Sequence, residues 1–206
     1  MKKYIFVSIF CVVFLLLFVG WIKVRMSRLT YENKAMGVKI TGPAGWYMFT
    51  EEKDSGGYIE YVEKPESFKE NIVKEGTLII FSNDPIFYET VGGANTLLYL
   101  EAKKFTSNDP PDKRTPMEVA KKYISLEEAD KIKLDEEPRT ITLSGKKGVT
   151  FTYTTPEAGP LPSIKETAYA FVKGDTAYII DFLCDASVYD NLIKDVESSV
   201  NSFTLK

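Results

Sequence analysis

KETAYAFVKGDTAYIIDFLC, residues 165–184, carries two alternating runs about Lys173-Gly174-Asp175. Gly-Asp between such runs favours a tight reversal, so the stretch reads as a β-hairpin. Tyr178, Ile180 and Phe182 point to one face, and Ile179 and Leu183 to the other. Strands that are apolar on both faces belong in the middle of a sheet covered on both sides.

Working upstream, RTITLSGKKGVTFTYT (139–154) sets Ile141 and Leu143 against Val149, Phe151 and Tyr153. It reads as a second hairpin turning at Gly145 to Gly148. Before it, TPMEVAKKYI (115–124) has a strong helix start. Thr115 is the expected N-cap, Pro116 suits the first helical position, and Glu118 completes a capping box. Met117, Ala120 and Ile124 form the apolar face, and Ser125 with Glu128 extends or restarts the helix before Pro138. Strands are expected at Thr96–Phe105, Thr77–Ser82, Tyr58–Val62, Val38–Thr41 and Leu29–Asn33, with a short helix from Pro65 through Val73. TGPAGW (41–46) ends an early strand, turns the chain at Gly42-Pro43 and seats Trp46 against the sheet. Downstream of the central hairpin, a helix from about Ser187 carries the stripe Val188, Leu192, Ile193, Val196, Val200 and Phe203. The sum is an α+β fold, a mainly antiparallel β-sheet flanked by helices on both faces.

The first residues are of another kind. Tyr4–Ile22 is uncharged, and as a helix its 19 residues would span about 28 Å, close to the ~30 Å hydrocarbon core. Lys2 and Lys3 precede it, and Lys23, Arg25 and Arg28 follow. A cleavable signal needs small residues at its cut site, and Phe18 would stand three residues before a cut after Gly20. A lipoprotein site at Cys11 is disfavoured by Phe10 and by the apolar run beyond it. The reading is an uncleaved single-pass anchor in residues 1–28, followed by one globular domain over 29–206. Basic residues on the two sides nearly cancel. A short N-terminal tail with the domain outside the cytoplasm is the expected orientation, and the opposite topology stays open.

All 29 acidic residues and all but five of the 26 basic residues lie beyond Arg28, leaving that part with a net charge of about −8. Nucleic acid, which needs a basic face, is disfavoured as a partner. So is a domain lying flat on anionic lipid. Histidine is absent, which closes imidazole acid–base catalysis, Ser-His-Asp and Cys-His nucleophile systems, and imidazole metal ligation. Cys11 and Cys184 are too differently placed to pair, and Cys184 reads as a small buried strand residue.

Four further spots are candidate sites. SGKKG (144–148) and VGGAN (91–95) do not fit a nucleotide loop and read as turns. Asp109, Asp112 and the run Asp135-Glu136-Glu137 are oxygen-rich, but lack the spacing of a calcium loop. Ser144 with Lys146 resembles a Ser-Lys pair, yet a lysine in a hairpin turn stays solvated and protonated. Trp46 and Tyr47 suit either a recognition cleft or core packing, and burial statistics favour the core. No catalytic, cofactor or metal residue is assigned.

The order strand, strand, Pro43-x-Gly45-Trp46, sheet, capped helix, two hairpins and a C-terminal helix ending in Ser202-Phe203 resembles the PsbP-like domain. The matching pieces are GVKITGPAGWY, TPMEVAKKYI, GVTFTYT, KETAYAFVKGDTAYIIDF and YDNLIKDVESSVNSF, which cover nearly everything from Leu29 onward. That fold is shared with a Ran-binding nuclear import factor and with mycobacterial lipoproteins. The resemblance implies an α/β/α sandwich and an accessory or binding role, the best-known member being an extrinsic photosystem II subunit. A membrane-anchored bacterial PsbP-related protein is the nearer likeness, because the chain starts with an apolar anchor and not with a Ser- and Arg-rich transit peptide. The expected function is therefore a membrane-tethered, non-enzymatic accessory or binding domain that engages a protein partner on the extracytoplasmic side. The alternative is a small-ligand or lipid-binding module with a pocket between sheet and helix. A histidine-free hydrolase is a distant third.

Overall fold

The computed structural model describes residues 28–49, 76–83, 96–126, 131–159 and 162–206. The anchor at 4–22, the strand expected at Tyr58–Val62, the helix expected at Pro65–Val73 and Glu128 lie outside these residues. Among the described residues, no helix is long and apolar enough to cross a membrane.

In chain order the elements are β1 (Thr30–Asn33), β2 (Val38–Thr41), β3 (Tyr47–Phe49), β4 (Thr77–Ser82), β5 (Leu97–Lys104), α1 (Pro116–Leu126) and β6 (Lys133–Leu143). There follow β7 (Lys146–Thr155), β8 (Ile164–Lys173), β9 (Thr176–Asp185), α2 (Tyr189–Asn201) and β10 (Thr204–Leu205). Seven strands form one antiparallel sheet in the order β3-β4-β5-β9-β8-β7-β6, and β1-β2-β10 form a second, smaller one. As the apolar pattern of 165–184 requires, β8 and β9 sit inside the large sheet. α1 covers one face over β6, β7 and β8, while α2 packs on β9 and on β2 of the small sheet.

Residues 42–46 carry the chain from the small sheet to the large one. The Trp46 amide donates to the Pro43 carbonyl at 3.3 Å, and Gly45 takes φ +78°, where a side chain would be strained. Gly42 lies so close to the Phe81 ring that a Cβ there would overlap it. Trp46 is buried with its ring centroid 6.4 Å from that of Phe182. It is a plug in the core, while Tyr47 beside it is 38% exposed.

Several local expectations are corrected. The turn between β6 and β7 is Ser144-Gly145 alone, with φ of 47° and 76°. Gly148 belongs to β7, opposite Phe171, whose ring would meet any Cβ at 2.5 Å. β6 begins at Lys133, not Arg139, and runs through Pro138. The register shifts between Glu136 and Arg139, and β6 is an edge strand, so the missing amide of Pro138 breaks no ladder. In α2, which starts at Tyr189 and not at about Ser187, Val188 is the 37% exposed cap residue and Tyr189 takes the inward position. In α1, Val119 and Tyr123 are buried beside Ala120, with Met117 and Ile124 at the margin.

Thr115 caps α1 as expected, its Oγ1 accepting from the Glu118 amide at 3.3 Å. The Glu118 carboxylate does not complete the box; it pairs with Lys113 at 2.7 Å and Lys121 at 3.0 Å. Thr115→Ala should therefore cost about 1 kcal/mol, read as a fall of roughly 2–4 °C in thermal midpoint. An unchanged midpoint would show that the ion pairs alone hold the helix start.

Candidate functional site

The candidate sites read from the sequence do not converge. Ser144 is exposed in the two-residue turn, and Lys146 is exposed as the first residue of β7. Asp109 is occupied internally: its Oδ2 accepts from the Thr106 amide and hydroxyl, both at 2.9 Å, and its Oδ1 from Lys122 at 3.1 Å. The Thr106 bonds, with help from Lys122, hold its carboxyl down to about 2. Asp112 is exposed in a short 3-10 turn, Pro111–Lys113. Asp135 bonds Thr154 and Lys133, and Glu136 pairs with Arg139 at 3.6 Å. Glu137 is exposed on the same edge strand. Among the described residues, no three His, Cys, Asp or Glu side chains come together at metal distance. Cys184 is fully buried, and burial with the nearby Asp185 pushes its thiol up to about 12. VGGAN lies outside the described residues.

What the fold does gather is positive charge. The antiparallel order brings the C-terminal ends of β5 and β8 and the N-terminal end of β7 to one end of the large sheet. Lys104 faces Thr176, which in turn faces Lys173. Gly148 faces Phe171, and the same register two residues further on sets Lys146 beside Lys173. Lys104, Lys173 and Lys146 thus share one row and, by the alternation of strands, one face. Lys103 and Lys147 flank the row on the other face, and all five lysines are exposed. Lys103 pairs with Glu101 at 2.9 Å. Among the described residues, Lys104, Lys146, Lys147 and Lys173 form no ion pair. Like charges set side by side on neighbouring strands repel, by about 0.2–1 kcal/mol for a directly opposed pair.

The surface continues onto the loop after β5. Phe105 donates its amide to Asp175 in the β8–β9 turn at 2.8 Å, fixing the loop against this end. Arg114 stacks 5.7 Å above the Phe105 ring and donates to the Asp109 and Thr106 carbonyls. A cleft of about 330 Å³ lies between this loop and α1, walled by Lys113, Lys121 and Lys122 with Asp109 and Glu118. It is not placed between sheet and helix, where a ligand pocket was expected as the alternative. The opposite end of the sheet carries Asp135, Glu136, Glu137, Glu157 and Asp185. Lys131, Lys133 and Lys165 also stand at that end, and Asp175 at the lysine end, so the row is a local patch on a domain that is acidic in sum.

The architecture has known counterparts. Cyanobacterial PsbP (CyanoP) of Synechocystis sp. PCC 6803 superposes with a TM-score of 0.56 at 14% identity, covering 88% of this chain and 94% of CyanoP. The fold is PsbP-like. The Ran-binding protein Mog1p of Saccharomyces cerevisiae is more distant, with a TM-score of 0.48 at 12% identity over 87% of this chain and 96% of Mog1p. No family model matches the sequence, and no curated protein matches it. At such identities the likeness to PsbP is one of fold, and the lysine row has to be judged on its own chemistry.

None of that row was singled out from the sequence except Lys146, and that as a base. Its signal was faint: lysines beside three separate strand ends. Only the strand order shows that those ends are neighbours.

Proposed function

We propose that the protein is a membrane-tethered, non-enzymatic binding domain whose lysine end docks an acidic segment of a protein partner on the outer face of a bacterial membrane. The observation that carries the reading is the unpaired row Lys104–Lys173–Lys146 on a domain of net charge about −8. Clustered lysines raise the free energy of the unbound domain and lower it again when an anionic group arrives. A narrow acidic segment fits better than a bilayer. Screening confines each interaction to about 8 Å at physiological salt, so a narrow segment can lie along the lysine row, whereas a membrane plane also meets the acidic remainder. The uncharged Tyr4–Ile22 stretch supports the tether, and the absence of histidine supports a binding role over catalysis.

The test is crosslinking in native membranes followed by affinity recovery, comparing wild type with the triple variant K104E/K146E/K173E. Recovery of the specific partner should fall at least tenfold in the variant, and by a smaller factor in wild type as salt is raised. Equal recovery from both proteins would overturn the lysine end as the docking surface. Protease added to intact spheroplasts should trim the domain; protection until lysis would reverse the orientation.

A further inference from the structure

The face of the large sheet beneath α1 contains three buried carboxyls, Asp181, Glu166 and Glu101, where apolar side chains would be expected. Asp181 is fully buried at the centre of β9, between Tyr99 of β5 and Ala168 of β8. Glu166, two residues before Ala168, projects from the same face and is 9% exposed. Tyr123 reaches down from α1 to both. Its hydroxyl is 2.5 Å from Asp181 Oδ2 and 3.3 Å from Glu166 Oε1. The other Asp181 oxygen, Oδ1, is buried without a hydrogen-bond donor.

The groups around this cluster are few. From β5 come Tyr99 and Glu101, the latter paired with Lys103 at 2.9 Å; from β7 comes Tyr153; from α1 comes Tyr123 itself. Among the described residues no cation faces Asp181. One phenolic proton cannot satisfy two ionised carboxylates, because two buried like charges within hydrogen-bond reach of one hydroxyl repel without compensation. The arrangement is balanced if the pair holds one extra proton. A proton on Asp181 makes one of its oxygens a donor, with the neighbouring Glu166 carboxylate as acceptor. Burial, followed by the charges of Glu166 and Glu101, raises the Asp181 carboxyl well above its usual range, with the Tyr123 bond opposing. Burial, followed by the charges of Asp181 and Glu166, keeps the Tyr123 phenol protonated.

We infer that Asp181, Glu166 and Tyr123 form a proton-operated clamp that holds α1 against the sheet, closed while the carboxyl pair shares one proton and released when that proton is lost. Tyr123 is the polar link from α1 into the cluster; α1 also packs on the sheet through the apolar Val119, Ala120 and Ile124. Loss of the proton leaves two negative charges beneath the helix, and hydration relieves them only if α1 lifts. The sign follows from linkage. The closed form keeps a proton that an exposed aspartate loses near pH 3.9. Closure is thus fully supported below about pH 4 and weakens as pH rises, until the raised value of the closed form is passed.

The test is hydrogen exchange on the full chain between pH 5 and pH 9, corrected for intrinsic exchange. Protection of α1 amides should fall by up to about tenfold per pH unit within the linkage window, while α2 amides keep theirs. D181N, an uncharged mimic of the protonated acid, should hold α1 protection level across the range. E166Q, which removes the other charge but leaves Asp181 buried, should narrow the pH window and lessen the loss, and serves if D181N does not fold. Wild-type α1 protection that is independent of pH would overturn the clamp. So would equal losses in α1 and α2, which mean global unfolding, or the wild-type slope persisting in both variants.

Discussion

Replacing Phe182 by alanine is expected to remove about 3–5 kcal/mol of folding stability, a large share of the roughly 5–15 kcal/mol typical of a domain. Phe182 is fully buried in β9 and faces the small sheet and α2. Its ring lies 6.4 Å from Trp46, at the end of the crossover between the sheets, and 5.7 Å from Tyr189, at the start of α2. Leu98 on the neighbouring strand is also fully exposure-free. An alanine would leave a void bounded by three separately anchored parts of the fold, none of which can close it by a rotamer change alone. The loss should appear in equilibrium denaturation followed by tryptophan fluorescence. A loss under about 1 kcal/mol would mean that the site collapses around the smaller residue, and that Trp46 is not held as described.

The second large effect separates two glycines that look alike in the sequence. Gly148→Val should destabilise by about 3 kcal/mol, although valine ordinarily favours strands. A Cβ at this position meets the Phe171 ring at 2.5 Å and the Ala170 carbonyl at 2.9 Å, and the carbonyl belongs to the neighbouring strand's backbone. Phe171 in turn is packed 5.2 Å from Phe203 just beyond α2, so it has little room to retreat. Gly145→Ala, three residues earlier, should cost only about 1 kcal/mol, the strain of a left-handed residue, because nothing lies within 4 Å of its Cβ position. Similar midpoints for the two variants in the same denaturation series would contradict the two-residue turn.

Those two glycines show where local reading fails. SGKKG contains a turn, but the choice between Ser144-Gly145 and a longer loop depends on what faces Gly148 across β7 and β8. Pro138 misleads in the same way. By local rules it bounds the helical segment before it, yet β6 runs through it, at an edge position with a shifted register. Val188 and Tyr189 differ by a single position, and 100° of helix rotation decides which is inside.

The central hairpin, the cap of α1, the plug at Trp46 and the burial of Cys184 follow from runs of a few residues. Alternation, turn chemistry and capping act over short distances along the chain, and the order of residues is enough to express them. The lysine row and the carboxyl clamp are different in kind. Asp181 is the sole charge in Thr176–Cys184, a visible oddity, but its partners stand 15 and 58 residues away on β8 and α1. Lys104, Lys146 and Lys173 are ordinary strand-end lysines until β9 is laid between β5 and β8. Which strands become neighbours, and in what register, is fixed by burial of the whole sheet against its helices, and that long-range packing is what turns scattered charges into a surface and a buried acid into a switch.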